Sequence, residues 1–213
     1  TTQVNEERGL DGRPFGIVFC DVAENSQYDS LKRADAAVAS ARYLADVLGV
    51  PAIVGPSASG DTIAVFDAIK EQGVLVISPA ASSPALTGHD VATATDQDPG
   101  LLWRTATPDT VQGAAIARHL TTSFPTATNV VVVNEKGAYG TALADVFTAA
   151  FQKDGRTVRA IPYETASQRD AAIVDAASTK PPFVLFFSSQ TADAVAFLNA
   201  ATSLASYENI SFF

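Results

Sequence analysis

The sequence predicts an α/β protein with parallel sheets, and three observations point to this fold class. Short apolar runs recur along the chain, amphipathic helical patterns separate them, and each run is apolar at nearly every position. Strands that helices cover on both faces have this continuous apolar character, as in parallel sheets. Regular alternation of such strands with helices is the pattern of α/β folds.

Six segments carry the strand pattern, and each is rich in β-branched or aromatic residues. They are 15–19, 52–55, 74–78, 130–133, 157–161 and 183–187. All of them are far shorter than the roughly 20 apolar residues that a membrane-spanning helix needs. We therefore expect six strands covered on both faces and no membrane span.

Three helices between these strands have recognisable start or stop signals. Residues 140–154 and 61–72 each place apolar side chains on one face, and a glycine follows each segment. Asp61 is the candidate cap of the second helix. Thr107 is the candidate cap of a third helix, with Pro108 at the first helical position.

Composition excludes several classes of function. With 47% hydrophobic and 17% charged residues, the chain can bury a sizeable core. The net charge of −9 disfavours nucleic acid and anionic membranes as partners, because both attract basic patches. The single cysteine, Cys20, ends an apolar run and is expected in the core. The two histidines, His89 and His119, are too far apart to predict a metal site, and the sequence contains no phosphate-binding motif that would predict a nucleotide cofactor.

Two loops that follow predicted strands contain the candidate ligand-binding residues. The loops "VGPSASGDT" (54–62) and "ISPAASSP" (77–84) are rich in small side chains and hydroxyls. Ligands of parallel sheets bind outside the carboxyl ends of the strands, and hydroxyls both donate and accept hydrogen bonds. For any single serine, a helix cap or tight turn is the alternative. The hydroxyls expected around one cleft for a small polar or zwitterionic molecule are Ser57, Ser59, Thr62, Ser78, Ser82 and Ser83.

Three longer segments together resemble the leucine/isoleucine/valine-binding-protein family of type I periplasmic solute-binding proteins. They are 50–88, 103–120 and 130–158, from "VPAIVGPSASGDT" to "VVVVNEKGAYGTALADVF" and beyond. Each motif alone is weak, but their order and spacing are specific, and the resemblance covers nearly the whole chain. It implies a clamp of two α/β lobes that closes around a small solute at a hinge.

The resemblance also implies which residues bind the ligand. Ser59, Ala80 and Ser82 correspond to the ligand residues of the first lobe, and Tyr139 corresponds to a tyrosine of the second lobe. Gln190 stands near the position of another ligand-facing tyrosine. This departure implies a more polar pocket than one for aliphatic amino acids.

The expected lobes are residues 1–106 and 107–213. Family members begin with a strand and a ligand loop that this chain lacks, and they continue beyond its last strand. The resemblance therefore implies an excerpt of a longer protein, with a first lobe that lacks its first strand and an incomplete second lobe. Unpaired strand edges would make such an excerpt bind weakly, dimerise or aggregate.

The implied function is non-catalytic binding of a small polar solute, an amino acid or related compound, for an ABC importer. The implied partners are that ligand and the permease subunits of the membrane, and the implied location is periplasmic or extracellular, with or without a lipid anchor. The same fold also serves as the sensory domain of receptors and regulators. A remote alternative is a hydrolase that uses Ser82, His89 and Asp90, although residues so close in sequence rarely form a triad.

Overall fold

The computed structural model describes residues 2–22 and 32–213, in which helices and strands alternate as the sequence predicts. The α-helices of this part are α1 (Thr2–Glu6), α2 (Arg33–Arg42), α3 (Ser59–Ile69), α4 (Asp109–Ser123), α5 (Gly140–Phe151), α6 (Ala166–Ala176) and α7 (Thr191–Ser203). The strands are β1 (Ala52–Val54), β2 (Leu75–Ser78), β3 (Leu102–Arg104), β4 (Asn129–Glu135), β5 (Thr157–Tyr163), β6 (Phe183–Phe187) and β7 (Ser211–Phe212).

The strands form two sheets, with the orders β1-β2-β3 and β5-β4-β6-β7. Every pairing of these strands is parallel. In the first sheet Ile53 lies opposite Val76. In the second sheet Val132 of the central strand β4 lies between Ala160 and Leu185. The predicted α/β class with parallel sheets is confirmed.

Helices cover the second sheet on both faces. Successive side chains of a strand point to opposite faces, so neighbouring residues of β4 belong to two different buried clusters. Val132 belongs to a buried cluster with Leu143 and Phe147 of α5. Val133 belongs to the cluster of the other face, with Ile173 of α6. These side chains are almost completely buried, and each contributes roughly 1.5–3 kcal/mol relative to an exposed position.

Helices α3 and α5 end at glycines, as predicted. Each is followed by one turn of 3-10 helix and then by Gly73 or Gly155, with φ of 68° and 74°. This left-handed conformation closes a helix and suits glycine, which has no Cβ. The start of α3 differs from the prediction, since the helix begins at Ser59 and Asp61 lies inside its first turn.

The start of α4 also differs, because Thr107 does not cap it. Pro108 occupies the cap position, and no side chain there caps the helix. The backbone N–H of Asp109 instead donates to the carbonyl of Ser82, at 2.8 Å. The serine loop therefore takes the place of a capping side chain for one of the free N–H groups of the helix.

Residues 15–19 do not form the predicted strand. The segment has no regular secondary structure, and Phe19 at its end is 89% exposed. An apolar strand pattern requires a neighbouring strand, and none among the described residues pairs with this segment. Cys20 is also exposed, so its predicted place in the core is wrong.

The prediction that helices cover both faces of every strand is likewise wrong. β1 and β5 are edge strands, and β5 buries few of its side chains. Val54, the last residue of β1, is 79% exposed. Both strands lie at the edge of a sheet, where neither a second strand nor the packed helices shield all of their side chains from solvent.

The proposed boundary at Ala106 lies between the two sheets. β3 ends at Arg104, α4 begins at Asp109, and the two sheets share no strand. We keep the names first lobe for residues up to Ala106 and second lobe for the remainder. In the described part of the chain, no helix has both the length and the apolar character needed to cross a membrane.

Candidate ligand-binding cavity

A cavity of about 600 Å³ lies between the loops of the two lobes, which is a usual size for a small-molecule site. Its wall is formed in the first lobe by Val22, Arg33, Val54, Gly55, Pro56, Ser57, Ala58, Ser59, Asp61, Ala80 and Ser82, and in the second by Tyr139, Ser188 and Ser189. The cavity therefore lies beyond the carboxyl ends of β1, β2, β4 and β6, where the sequence places the ligand site.

Four of the five predicted ligand residues lie in this wall. Ser59, Ala80 and Ser82 come from the two serine loops of the first lobe, and Tyr139 faces them from the second. The structure thus brings together residues that are up to 80 positions apart along the chain. Their contact with a ligand stays a prediction.

Gln190, the fifth predicted residue, lies beside the cavity rather than in its wall. Its side-chain oxygen accepts a hydrogen bond from Nη1 of Arg33, at 3.0 Å. Its side-chain nitrogen donates to the hydroxyl of Ser189, at 3.3 Å. Gln190 therefore contacts two residues of the wall, one from each lobe.

The hydroxyls of the serine loops divide into two sets of three. Ser57, Ser59 and Ser82 line the cavity, with Ser59 only 2% exposed, whereas Thr62, Ser78 and Ser83 are fully buried and are not part of the wall. The expectation that all six surround the cleft is therefore wrong for the second set, because their hydroxyls bond to the protein backbone.

The three buried hydroxyls hold the loops in place. Ser78 Oγ donates to the carbonyl of Pro56, at 2.5 Å, and so joins one loop to the other. Thr62 Oγ1 lies 2.8 Å from the carbonyl of Ala58, one turn earlier. Ser83 Oγ accepts from the N–H of Ala85 and caps a short 3-10 turn. For these residues the alternative of caps and turns is correct.

Ser59 belongs to the wall and also connects the two loops. Its hydroxyl oxygen accepts the backbone N–H of Ser83, at 3.1 Å. A serine hydroxyl that accepts one bond still has its own hydrogen to donate. Ser59 can therefore offer a donor to a ligand while its oxygen holds the second loop.

The crossing between the lobes packs directly behind Ser82. The carbonyl of Ser82 accepts the Asp109 N–H at 2.8 Å, and Arg104 Nη1 donates to the carbonyl of Ser83 at 2.6 Å. Asp109 is completely buried. Burial raises the pKa of its carboxyl group, while Ser82 and Arg104 oppose this shift. Arg104 thus donates to carbonyls of the serine loop, and its charge also acts on the Asp109 carboxylate.

Tyr139 immediately precedes α5 and is partly buried. Burial raises the pKa of its phenol, the nearby Asp109 carboxylate adds to this shift, Gln112 opposes it, and Glu135 raises it further. The phenol therefore remains protonated at neutral pH and can donate a hydrogen bond into the cavity.

Charged residues that sequence reasoning missed stand behind Ser188. Ser188 Oγ lies 3.0 Å from Glu135 Oε2 and 3.3 Å from Asp193 Oδ2. Asp193 in turn accepts from Tyr163 at 2.8 Å and from Arg169 at 2.7 Å. The signal that could have found Glu135 is its place at the carboxyl end of β4, where parallel sheets bind ligands.

Arg33 and Asp61 form an ion pair in the first-lobe wall that the sequence did not reveal. Arg33 Nε lies 2.7 Å from Asp61 Oδ2, and the two side chains are 26% and 9% exposed. Asp61 lies in the first turn of α3, where the helix dipole favours a negative charge. No pattern along the chain links it to Arg33.

The hydrolase alternative finds no support in the geometry. His89 Nε2 lies 3.1 Å from Asp67 Oδ1, and Asp90 accepts the backbone N–H of Leu101. The two candidate partners of Ser82 are thus engaged elsewhere. Within residues 2–22 and 32–213 no cluster of three potential metal ligands occurs.

A second, smaller pocket of about 320 Å³ is confined to the first lobe. Its wall consists of residues between Leu86 and Arg104, including the half-exposed Trp103. Trp103 Nε1 donates to the carbonyl of Gly100, at 3.0 Å. No residue of either serine loop (54–62 and 77–84) lines this pocket, so the cavity between the lobes is the better candidate site.

Comparison with known sequences identifies the family. Residues 1–205 match the family model described as periplasmic binding protein. The Leu/Ile/Val-binding protein BraC3 of Rhizobium johnstonii is 36% identical over 109 residues, which are 51% of this chain and 27% of that protein. The Leu/Ile/Val-binding protein of Escherichia coli is 26% identical over 167 residues, 78% of this chain and 41% of that protein.

Comparison with solved structures supports the fold. A periplasmic binding protein from Burkholderia mallei has a TM-score of 0.78 at 17% identity, over 99% of this chain and 52% of that one. A leucine binding protein from Thermotoga maritima has a TM-score of 0.68 at 23% identity, over 87% and 48%. The chain thus spans about half the length of these proteins and less than half of the curated relatives. It belongs to the periplasmic binding protein family of type I, the family of the leucine/isoleucine/valine-binding proteins.

Proposed function

We propose that this chain binds a small polar solute, an amino acid or a related compound, between its two lobes and delivers it to an ABC importer. The observation that carries the proposal is the cavity, whose wall combines Ser59 and Ser82 of one lobe with Tyr139 of the other. Relatives in sequence bear the name Leu/Ile/Val-binding protein. A solved structure from Desulfitobacterium hafniense at 21% identity is an ABC transporter substrate-binding protein in complex with Leu.

The first-lobe wall suits the carboxylate of an amino acid. Three hydroxyls line it, and the small side chain of Ala80 leaves the backbone of its loop within reach of a ligand. Each such hydrogen bond contributes roughly 0.5–1.5 kcal/mol net. Because the buried hydroxyls fix both loops, little order has to be gained when the ligand binds.

The second-lobe wall suits the remainder of the ligand. Tyr139 supplies an apolar ring and a protonated hydroxyl, and Ser188 supplies a hydroxyl backed by the carboxylate of Glu135. A nearby carboxylate favours the positive charge of an amine. A solute that contacts both walls would stabilise the closed arrangement of the lobes over an open one.

The proposal excludes chemical conversion of the solute. Its partners are the small ligand and the permease subunits of an importer in the membrane, and its place is the periplasm or the outer surface of the cell. No cofactor is required, because the wall already offers donors, acceptors and an apolar ring.

Calorimetry on the full-length gene product with the standard amino acids tests the proposal. We expect one-site binding of at least one of them, and mass spectrometry of the same mixtures should show the ligand unchanged. Reproducible product formation would instead support an enzyme. Binding without any loss of solute uptake when the gene is deleted would favour a sensory domain.

A further inference from the structure

The ion pair of Arg33 and Asp61 is unusual among the ion pairs of the described residues because both partners lie in the cavity wall. The carboxylate of Asp61 is nearly buried and approaches the Nε side of the guanidinium, at 2.7 Å. Asp61 therefore holds the guanidinium by charge at its Nε side, in an ion pair without the alignment of a hydrogen bond.

The other end of the guanidinium points towards the second lobe. Nη1 of Arg33 donates to the side-chain oxygen of Gln190, at 3.0 Å, across 157 positions of the chain. The two Nη groups of an arginine carry four N–H hydrogens in a planar fork. Among the residues that the structure describes, this fork has a neutral carboxamide oxygen as its acceptor.

A ligand oxygen can take the position of that carboxamide oxygen or bind beside it. Hydrogen bonds from a guanidinium to an oxygen acceptor are charge-assisted and stronger than those between neutral groups. An aliphatic side chain placed against Arg33 would leave donors without partners, which is unfavourable in a site closed to water.

Resting on the proposed function, we propose that Arg33 is a specificity-determining residue whose fork, directed at Gln190 of the second lobe, recognises an oxygen of the ligand's side chain. The cavity then prefers amino acids whose side chain ends in a carboxylate or carboxamide over aliphatic ones. Asp61 is a positioning residue for Arg33, and Gln190 occupies the guanidinium fork from the second lobe.

A merely structural role makes a different prediction. If Arg33 only joined the two lobes through Gln190, its loss would weaken closure around every ligand to the same extent. If Arg33 instead recognises the ligand's side chain, its loss weakens the binding of glutamine and glutamate more than that of leucine. The ratio of these affinities therefore separates the two roles.

The test compares glutamine, glutamate and leucine as ligands of the full-length gene product by calorimetry. The variant combines Arg33→Met with Asp61→Asn, so that no buried carboxylate is left without a partner. Arg159→Met with Asp175→Asn is the matched control, because it removes an ion pair whose side chains are 42% and 48% exposed and do not belong to the cavity wall.

We expect the unaltered protein and the control to bind glutamine or glutamate at least about tenfold more tightly than leucine, and the Arg33 variant to reduce this ratio to about one. An Arg33→Lys variant, which keeps the charge but lacks the fork, should fall between them. Thermal unfolding of each variant shows that the comparison is made on folded protein.

Three results would overturn the inference. A tighter binding of leucine by the unaltered protein would do so while the proposed function stands. An equal loss for all three ligands in the Arg33 variant would assign Arg33 to closure alone. If folded, unaltered protein bound none of the standard amino acids, the proposed function would fall together with the inference.

Discussion

The two walls of the cavity are built in different ways. In the first lobe two loops are held by hydroxyls that bond to the backbone, such as Ser78 to the carbonyl of Pro56. In the second lobe the wall consists of side chains backed by a charged network, in which Ser188 lies between Glu135 and Asp193. One wall thus offers hydroxyls on loops that backbone hydrogen bonds fix, and the other offers an aromatic ring and hydroxyls backed by charged side chains.

A hydroxyl in a ligand loop is not by itself a ligand group. Ser82 and Ser83 are neighbours in sequence, yet Ser82 lines the cavity and Ser83 is fully buried. Substitutions in the first set should change affinity, whereas those in the buried set should change stability. The same reasoning separates Tyr139, which faces the cavity, from the charged residues behind its wall.

The largest effect is expected at the second wall. Tyr139→Ala removes a large apolar surface together with a hydroxyl, and we expect affinity to fall by about tenfold to a hundredfold. Tyr139→Phe keeps the ring and should lose less. Calorimetry on both variants separates the contribution of the ring from that of the hydroxyl. Equal losses of affinity would mean that the ring contributes nothing.

The next effect is expected at the first wall. Ser59→Ala removes a donor to the ligand and the acceptor of the Ser83 N–H, and affinity should fall about tenfold. Thr62→Val is the matched control, because it removes a buried hydroxyl of the same loop that does not line the cavity. It should lower the free energy of unfolding by about 1 kcal/mol and leave affinity unchanged. The comparison of the two sets breaks down if Thr62→Val weakens binding as much as Ser59→Ala.

Asp109, which lies behind the first wall, should make the free energy of unfolding depend on pH. Burial raises the pKa of the Asp109 carboxyl group above its usual value of 3.8, so the folded state retains the proton to higher pH than the unfolded state. The contribution of this group to the free energy of unfolding therefore decreases as pH rises from 3.8 through the folded pKa. It is constant above that window.

Chemical denaturation of the unaltered protein and of Asp109→Asn, at a series of pH values, measures this contribution. The free energy of unfolding of the unaltered protein minus that of the variant should fall as pH rises through the window. A difference that stays level or increases would contradict the assigned direction of the pKa shift.

The smallest effect is expected at Gln190, which lies beside the cavity. Gln190→Leu removes the acceptor that occupies Nη1 of Arg33, and it should change the ratio of affinities for glutamine and leucine by about threefold. Competition calorimetry with the two ligands measures this ratio. An unchanged ratio would limit Gln190 to a structural contact between the lobes.

The sequence predicts the buried part of the fold well because burial leaves a pattern along the chain. The run of valines in β4 and the spacing of Leu143, Phe147 and Phe151 in α5 both correspond to fully or almost fully buried positions. The same pattern fails at residues 15–19, because a strand forms only against a pairing partner, and no strand of the described residues pairs with this segment.

The candidate site is predicted in its composition but not in its geometry. The composition of the two serine loops cannot divide Ser82 from Ser83, because that division depends on which way the loop turns, and it is the family resemblance that selects Ser82. Sequence reasoning also misses Arg33, whose partners Asp61 and Gln190 lie far away along the chain. Contacts of this kind follow from the packing of the lobes and have no local signal.

The proposed function requires that one solute lies between the two walls and contacts both. Its most direct test is calorimetry on Ser59→Ala, on Tyr139→Ala and on the variant that combines them, with the tightest-binding amino acid. We predict one ligand per unaltered chain, weaker binding in both single variants, and binding in the double variant that is no tighter than in either single one. Unchanged affinity in both single variants would contradict the claim and place the site elsewhere.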